Sequence, residues 1–475
     1  MRLSELSASD LSRLIATRKA APSEVMADHL DRIAAENPLI NAVISLRDRD
    51  DLMAEARAAD DAPHRGWLHG LPLAVKDLCA TKGLRTTWGS PLFADFIPDA
   101  DDLLAARMRA AGAIFIGKTN VPEWGQGSHS FNPLHGTTRN PYDLSRSAGG
   151  SSGGAAAGLA ARMLPVADGS DMMGSLRNPA AFCNVYGFRP TWGLVPASAL
   201  GETHLATLAT EGPMARTIED IAQLLQVQAG PHPATPFDRP NEPFADLLTT
   251  NLRGKRIAWL ADWGGAYQIE PGILDLCKSG LRVFADLGAV VEPLPAPFPA
   301  AEIWHAWTTL RAMLSANGKP LRTAYDDPAK RALIKPETIW EIEQGLHLSA
   351  ADIYAASLIR SRYYVHMAQL FQTYDAIALP SAQVWPFPAE WRWPQSINGH
   401  AMDTYHRWME VVIPISLIGL PALSLPVGFG ANDLPMGLQL AGPVGSDARI
   451  LAMGQSYHRA TDWPGKRPPK STDLA

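Results

Sequence analysis

The chain has 475 residues, 46% of them hydrophobic, and a formal net charge of −6. That length can bury a large core, and the lack of a clustered Lys/Arg tract excludes the counterion-displacing mode of nucleic-acid binding. Its three cysteines, Cys79, Cys183 and Cys277, lie far apart and form neither an even-numbered disulfide framework nor a Cys-x-x-Cys metal pair; they fit a reducing cytoplasm.

Residues 1–22 hold Asp10 and alternating polar residues where a secretion signal would need an apolar core, so a cytoplasmic location is expected. The first sixty or so residues read as helices. Ser23 is placed to cap one of them, with Val25, Met26, Leu30 and Ile33 along one face and a stop near Pro38. An apolar strand at 73–75 then ends in Lys76, and a helix at 102–111 leads to a strand at 113–116. Residues 112–119 match the Walker A pattern letter for letter. A P-loop, however, needs exposed amides between its glycines and a helix after Lys-Thr, whereas here the interior is strand-like and Pro122 would break a helix starting there.

Residues 137–148 are polar and read as loop. A Gly/Ser-rich run follows at 149–154, then an Ala-rich helix at 155–162, a short apolar strand at 164–167 and a second small-residue loop at 169–175. One helix and one strand between them let the two serine loops fold back on each other. Residues 149–153 also fit the Gly-x-Ser-x-Gly elbow, but that elbow must follow a strand, and no downstream acid-then-His pair is visible. His204, His400 and His406 read as surface or packing residues.

The stretch at 229–243 is Pro-rich and reads as a surface loop inside one large domain. Strands at 256–260, 376–379 and 422–426 and a helix at 272–287 continue an alternation that marks an α/β fold with a mostly parallel or mixed buried sheet. The uncharged run 411–432 is long enough to span a membrane. Pro414, Pro421 and Pro426, with Gly419 and Gly428, break it into buried strands and turns.

Chemistry gathers around Lys76 and the two serine loops. A lysine at the end of an apolar strand becomes a base once burial strips its proton, and the serines supply a nucleophile and a relay. Lowering a lysine from about 10.4 to roughly 7 costs about 4.6 kcal/mol, within reach of desolvation.

The lysine after its strand, the Gly-Gly-Ser-Ser-Gly-Gly run and the Gly-Ser-Asp-Met-Met-Gly-Ser loop, with phrases at 117–123, 178–182, 187–191 and 212–217, together resemble the amidase signature family. The likeness covers nearly the whole chain and weakens over 230–400. It implies a single large mixed twisted sheet with helices on both faces, a helical segment 1–65 packed on a body of residues 66–475, and no metal or cofactor. It makes Ser175 the nucleophile and Ser151 the relay to a neutral Lys76, with Ser151 joined to Ser152 by a cis peptide bond. Backbone amides of Met172, Met173, Gly174 and Ser175 would form the oxyanion hole. Gly125 and Gln126 would lie near the acyl group, with Ser152, Asp171 and Arg177 as support.

Position 173 departs from the family, which usually has glycine there. Methionine narrows the backbone's options or sets a side chain beside the reacting carbonyl, so restoring glycine is predicted to speed turnover of bulky acyl groups. Seven tryptophans fall between Trp304 and Trp408, and the run Trp385, Phe387, Trp391 and Trp393 reads equally as core or as the lining of an apolar or aryl acyl pocket. The expected activity is hydrolysis of a small-molecule amide through an acyl-enzyme on Ser175, with esters and carbamates also open. The expected partners include no nucleic acid and no membrane, and a homodimer is as open as a monomer. Two rivals remain: the glutaminase subunit of a tRNA-dependent amidotransferase, and an amide-binding protein in which Met173 closes the oxyanion site.

Overall fold

Strands whose runs are apolar throughout need cover on both faces, and here helices provide it. A computed structural model describes residues 2–197 and 202–470. Eight strands form one mixed sheet in the order Val290–Pro293, Arg256–Trp259, Ala376–Pro380, Pro435–Ala441, Ala422–Phe429, Tyr186–Arg189, Thr210–Ala215 and Ala167–Asp171. Arg256–Trp259 pairs in parallel with both of its neighbours, and the remaining ladders are antiparallel. The helix Ile273–Asp286 makes the crossover that a parallel pair requires. Every residue of Ala376–Pro380 and Pro435–Ala441 is buried, as central strands of a sheet covered on both faces should be.

A second sheet of three strands, Val43–Ile44, Ile114–Thr119 and Pro72–Lys76, abuts the Ala167–Asp171 edge. The junction is made by a side chain in place of a ladder. Both carboxylate oxygens of Asp168 accept the Lys76 N–H, at 3.2 Å each. The position of Lys76 is therefore set from the neighbouring sheet.

The N-terminal segment folds as helices Ala8–Ala16, Pro22–Ile40 and Arg49–Asp61. Ser23 does not cap the second of these. Pro22 takes the first helical position, which its missing N–H suits, and Ser23 Oγ instead donates to Asp60 Oδ2 at 2.7 Å, tying two helices together. The helix does stop near Pro38, although the proline itself lies inside the last turn, where it forfeits one hydrogen bond only. The turn closes at Asn41 (φ 56°), and Asn37 Oδ1 accepts the N–H groups of Ala42 and Val43.

Two further differences bear on the site. The strand expected at 164–167 begins later, at Ala167, and runs to Asp171. The Leu164 carbonyl is drawn off to Arg216 Nη1 at 2.9 Å, and the Met163 and Leu164 N–H groups close the preceding helix on the Gly158 carbonyl. Asp168, Ser170 and Asp171 consequently stand on a strand, where loop was expected. The polar stretch 137–148 carries a small hairpin, Arg139–Asn140 against Asp143–Ser147. Residues 411–432 do break into short pieces, and among the described residues no helix is long and apolar enough to cross a membrane. The Walker-like run is the strand Ile114–Thr119, with Lys118 Nζ buried and donating to the Cys79 carbonyl and Thr81 Oγ1.

The helix Gly153–Ala160 packs so closely that a Cβ at Gly154 would lie 2.3 Å from Asn120 N and 2.6 Å from the Ala42 carbonyl. Both are backbone atoms that cannot swing aside. Gly154→Ala should lower stability by about 1–3 kcal/mol and weaken activity by shifting the serines at the helix start. Urea unfolding checks this, and a parental midpoint would show that the contact is softer than its geometry.

Candidate active site

Lys76 ends its strand with its side chain 1% exposed. Its Nζ donates to Ser151 Oγ at 2.9 Å, Ser152 Oγ at 2.9 Å, Ser170 Oγ at 2.8 Å and the Ser170 carbonyl at 3.3 Å. Burial pulls its ammonium down from 10.5 to about 8, while Glu211, Asp168 and Asp171 pull the other way. Ser170 was not singled out in the sequence. It lay inside the second serine loop, and only the strand that carries it aims its hydroxyl at the lysine.

Ser151 and Ser152 sit at the start of the Gly153–Ala160 helix, 2% and 0% exposed. The cis peptide precedes Ser151 and joins it to Gly150, not to Ser152 as the resemblance implied. The residue on the carbonyl side of that bond is thus the one without a side chain, where a Cβ would lie 3.0 Å from His129 N. The two serine loops meet as expected: the Ser152 N–H donates to the Ser175 carbonyl at 3.2 Å.

Ser175 follows Gly174, whose φ is 81° and where a Cβ would fall 2.3 Å from Asn178 Oδ1. Only glycine fits that turn. One of the four expected oxyanion donors is already engaged, because the Gly174 N–H donates to Asp171 Oδ1 at 2.9 Å. The ionised carboxylate lies within the same turn and claims the amide. The N–H groups of Met173 and Ser175 find no acceptor among the described residues. Met173 does not take a left-handed backbone, and its side chain is 3% exposed within the core. Met172 is half-buried, with Sδ 3.6 Å from Arg311 Nη1.

Asp171 and Arg177 brace the site from its interior. Arg177 grips Asp171 through Nε at 2.9 Å and Nη2 at 3.0 Å, and Arg189 Nη1 adds a contact at 3.3 Å, with all three side chains fully buried. Arg177 also reaches Gln439 Oε1, Ser416 Oγ and the Val412 carbonyl. Burial alone would raise the Asp171 carboxyl, but the two guanidiniums and the Gly174 amide hold it well below the carboxylate range. Arg189 went unnoticed in the sequence, where it stood inside the Gly-Phe-Arg-Pro-Thr phrase with no signal of its own.

Gly125 (φ 68°) stands beside the serines, since a Cβ there would lie 3.6 Å from Ser151 Oγ. Gln126 is anchored to the helix Pro336–Leu346: its Oε1 accepts from Thr338 Oγ1 at 2.5 Å, and its carbonyl accepts from Lys335 Nζ at 2.6 Å. It lines a narrow cavity with the aromatic Phe131, Trp393, Tyr405 and Trp408 and the charged Lys335, Glu337 and Arg392. The aromatic cluster therefore divides, with Trp393 and Trp408 on the cavity, Phe387 in the core and Trp391 50% exposed. Arg311, on the helix Ala300–Asn317, is paired with Glu341 and donates to Tyr405 Oη at 2.7 Å.

Among the described residues no histidine hydrogen-bonds to Ser151, Ser152 or Ser175. His204 and His400 are exposed, and His406 is buried against Tyr405. His129 spends Nδ1 on Ser147 Oγ at 2.7 Å and Nε2 on the Ala389 carbonyl at 3.0 Å.

Replacing Asp171 by Asn would leave two buried guanidiniums without their counter-charge. A loss of about 3–5 kcal/mol in stability is expected, with turnover lost in whatever fraction stays folded. Thermal or urea unfolding reads the first and hydrolysis per folded molecule the second; an unchanged midpoint would show that Gln439 and Ser416 suffice.

A family model described as Amidase matches residues 24–451. An acylamidase of Rhodococcus erythropolis is 32% identical over 99% of this chain and 98% of its own length. A glutamyl-tRNA(Gln) amidotransferase subunit of Azoarcus sp. (strain BH72) is 34% identical over 97% of this chain and 99% of its own. Among solved structures, a bacterial aryl acylamidase of the amidase signature enzymes superposes with a TM-score of 0.88 at 29% identity, covering 98% of this chain and 99% of that one. Matched in sequence almost from end to end and in fold across the large sheet, the chain belongs to the amidase signature family of amide-hydrolysing enzymes.

Proposed function

We propose that this enzyme is a free-standing cytoplasmic amidase that cleaves the C–N bond of small apolar or aryl amides through an acyl-enzyme on Ser175. The observation that carries the reading is the 2.9 Å contact from a fully buried Lys76 Nζ to Ser151 Oγ. A neutral Lys76 draws the Ser151 proton, Ser151 draws that of Ser175, and Ser175 Oγ attacks the carbonyl carbon. The relay closes when the Ser175 hydroxyl, which makes no hydrogen bond to the described residues, turns toward Ser151.

Negative charge then develops on the carbonyl oxygen, within reach of the uncommitted Met173 and Ser175 amides. Collapse breaks the C–N bond, and the proton held on Lys76 returns through Ser151 to the leaving nitrogen. Water repeats the cycle on the ester, so esters and carbamates would pass through the same steps. The acylamidase and aryl acylamidase relatives support an apolar or aryl amide as substrate.

The likeness to the amidotransferase subunit supports a second reading, a glutaminase that works within a complex. Turnover of a simple anilide by the purified chain alone decides for the first; activity on glutamine only, and only with partner subunits, decides for the second.

A serine-directed fluorophosphonate should label Ser175, and Lys76→Ala should cost several orders of magnitude in rate at neutral pH. In the parent, kcat/KM should climb from neutral to mildly alkaline pH as Lys76 loses its proton, since the base works uncharged. Peptide mapping that placed the adduct on Ser151 or Ser152 would sink the assignment.

Met173 now reads differently from its sequence. Its backbone is ordinary and its side chain fills core, so glycine there relieves no strain and opens a void. Met173→Gly should lower stability by about 2–5 kcal/mol without raising kcat/KM on aryl amides. Kinetics on an acetyl amide and an aryl amide test this; a selective gain on the bulky one would return the side chain to the acyl pocket.

A further inference from the structure

The carboxylates around Lys76 differ in how they are already employed. From the strand Ala167–Asp171, Asp168 accepts the Lys76 N–H, and Asp171 is bound by Arg177 and Arg189. Next to Lys76 on its own strand's exit, Asp77 is held by Thr87, and from the strand Ile114–Thr119 Lys118 bonds to Cys79 and Thr81. Glu211, on the strand Thr210–Ala215, is the exception: among the described residues its carboxylate has no hydrogen-bond donor and no paired cation.

Its place in the register brings it to the base. Glu211 stands opposite Ser170 in the antiparallel ladder, and opposed residues project to the same face with Cβ atoms about 4.5–5.5 Å apart. Ser170 Oγ is itself 2.8 Å from Lys76 Nζ. Glu211 is thus one side chain removed from the lysine. It is half-buried and forms part of the wall of a cavity of about 300 Å³ with Trp192, Thr210 and Phe237, so water can reach it on the side away from Lys76.

Resting on the reading of Lys76 as the base, we propose that Glu211 is a positioning residue that acts through Lys76, setting the charge the base carries and coupling it to the cavity behind the sheet. With Glu211 ionised, the ammonium is favoured and the base is masked; with Glu211 protonated or neutral, Lys76 is released to accept a proton. The electrostatics run the same way: burial lowers the lysine and raises the glutamate, and each charge opposes the shift of the other. At a pH high enough to strip Lys76 while Glu211 stays ionised, the same carboxylate steadies the lysinium that forms when Ser175 attacks.

The test is the pH profile of kcat/KM on an anilide for the parent, Glu211→Gln, Glu211→Leu and Glu211→Asp, with Lys76→Ala beside them. Removing the carboxylate while keeping its shape should move the alkaline-rising limb to lower pH by about one unit, the low end of what one opposite charge does. Glu211→Leu should do the same should the glutamine variant fold poorly, and Glu211→Asp should restore the parental limb. A merely structural role would scale activity down at every pH without moving the limb. An unmoved limb in folded Gln and Leu variants, with Lys76→Ala inactive, overturns the proposal alone; full activity in Lys76→Ala overturns the base reading and this one with it.

Discussion

The Asp171 carboxylate, clasped by Arg177 and Arg189 in the fully buried interior, holds the turn around Ser175 in shape. It accepts the N–H groups of Gly174 and Leu176, and so fixes the residues on either side of Ser175. Through Arg177 the same charge reaches Gln439 on a central strand and Ser416 on a distant helix. A buried ion pair is weak evidence for stability in itself, since desolvation offsets most of the attraction. What this one supplies is geometry: a turn whose free amides must hold direction to a few tenths of an ångström is anchored by bonds that cannot be traded for water.

Lys76 is placed by a different means. It belongs to the small sheet, Ser170 to the edge strand of the large one and Ser151 and Ser152 to the helix start beside them, so the lysine's contacts bridge separately hydrogen-bonded bodies. Asp168 welds them at the residue that matters, taking the Lys76 N–H from across the gap. Close helix packing completes the arrangement. With Gly154 against the backbone of Asn120 and Ala42, the helix that begins at the serines lies close on the strand exits, and Lys76 Nζ reaches the hydroxyls of Ser151, Ser152 and Ser170.

Much of this was legible in the chain. Lys76, Ser151 and Ser175 were marked by motifs whose residue types are costly to place together without a use, and the strand and helix pattern gave an α/β architecture with most elements near their observed bounds. What escaped was long-range. Ser170 and Arg189 act through register and distance, which no local pattern encodes, and the strand at 167–171 was shifted by a competing arginine, Arg216, from far downstream. The cis bond fell one residue early because sequence motifs name serines, while crowding selects the glycine beside them.

The contact between Met172 Sδ and Arg311 has a bearing on how such an enzyme changes over time. Arg311 sits on the helix Ala300–Asn317, locked to Glu341 and Tyr405, yet it touches the turn that leads to Ser175. That helix is therefore wired to the serine turn. A lineage that remodels its outer helices to admit a new substrate would alter the rate of bond cleavage in the same stroke, so selectivity and speed in this scaffold would evolve as one trait.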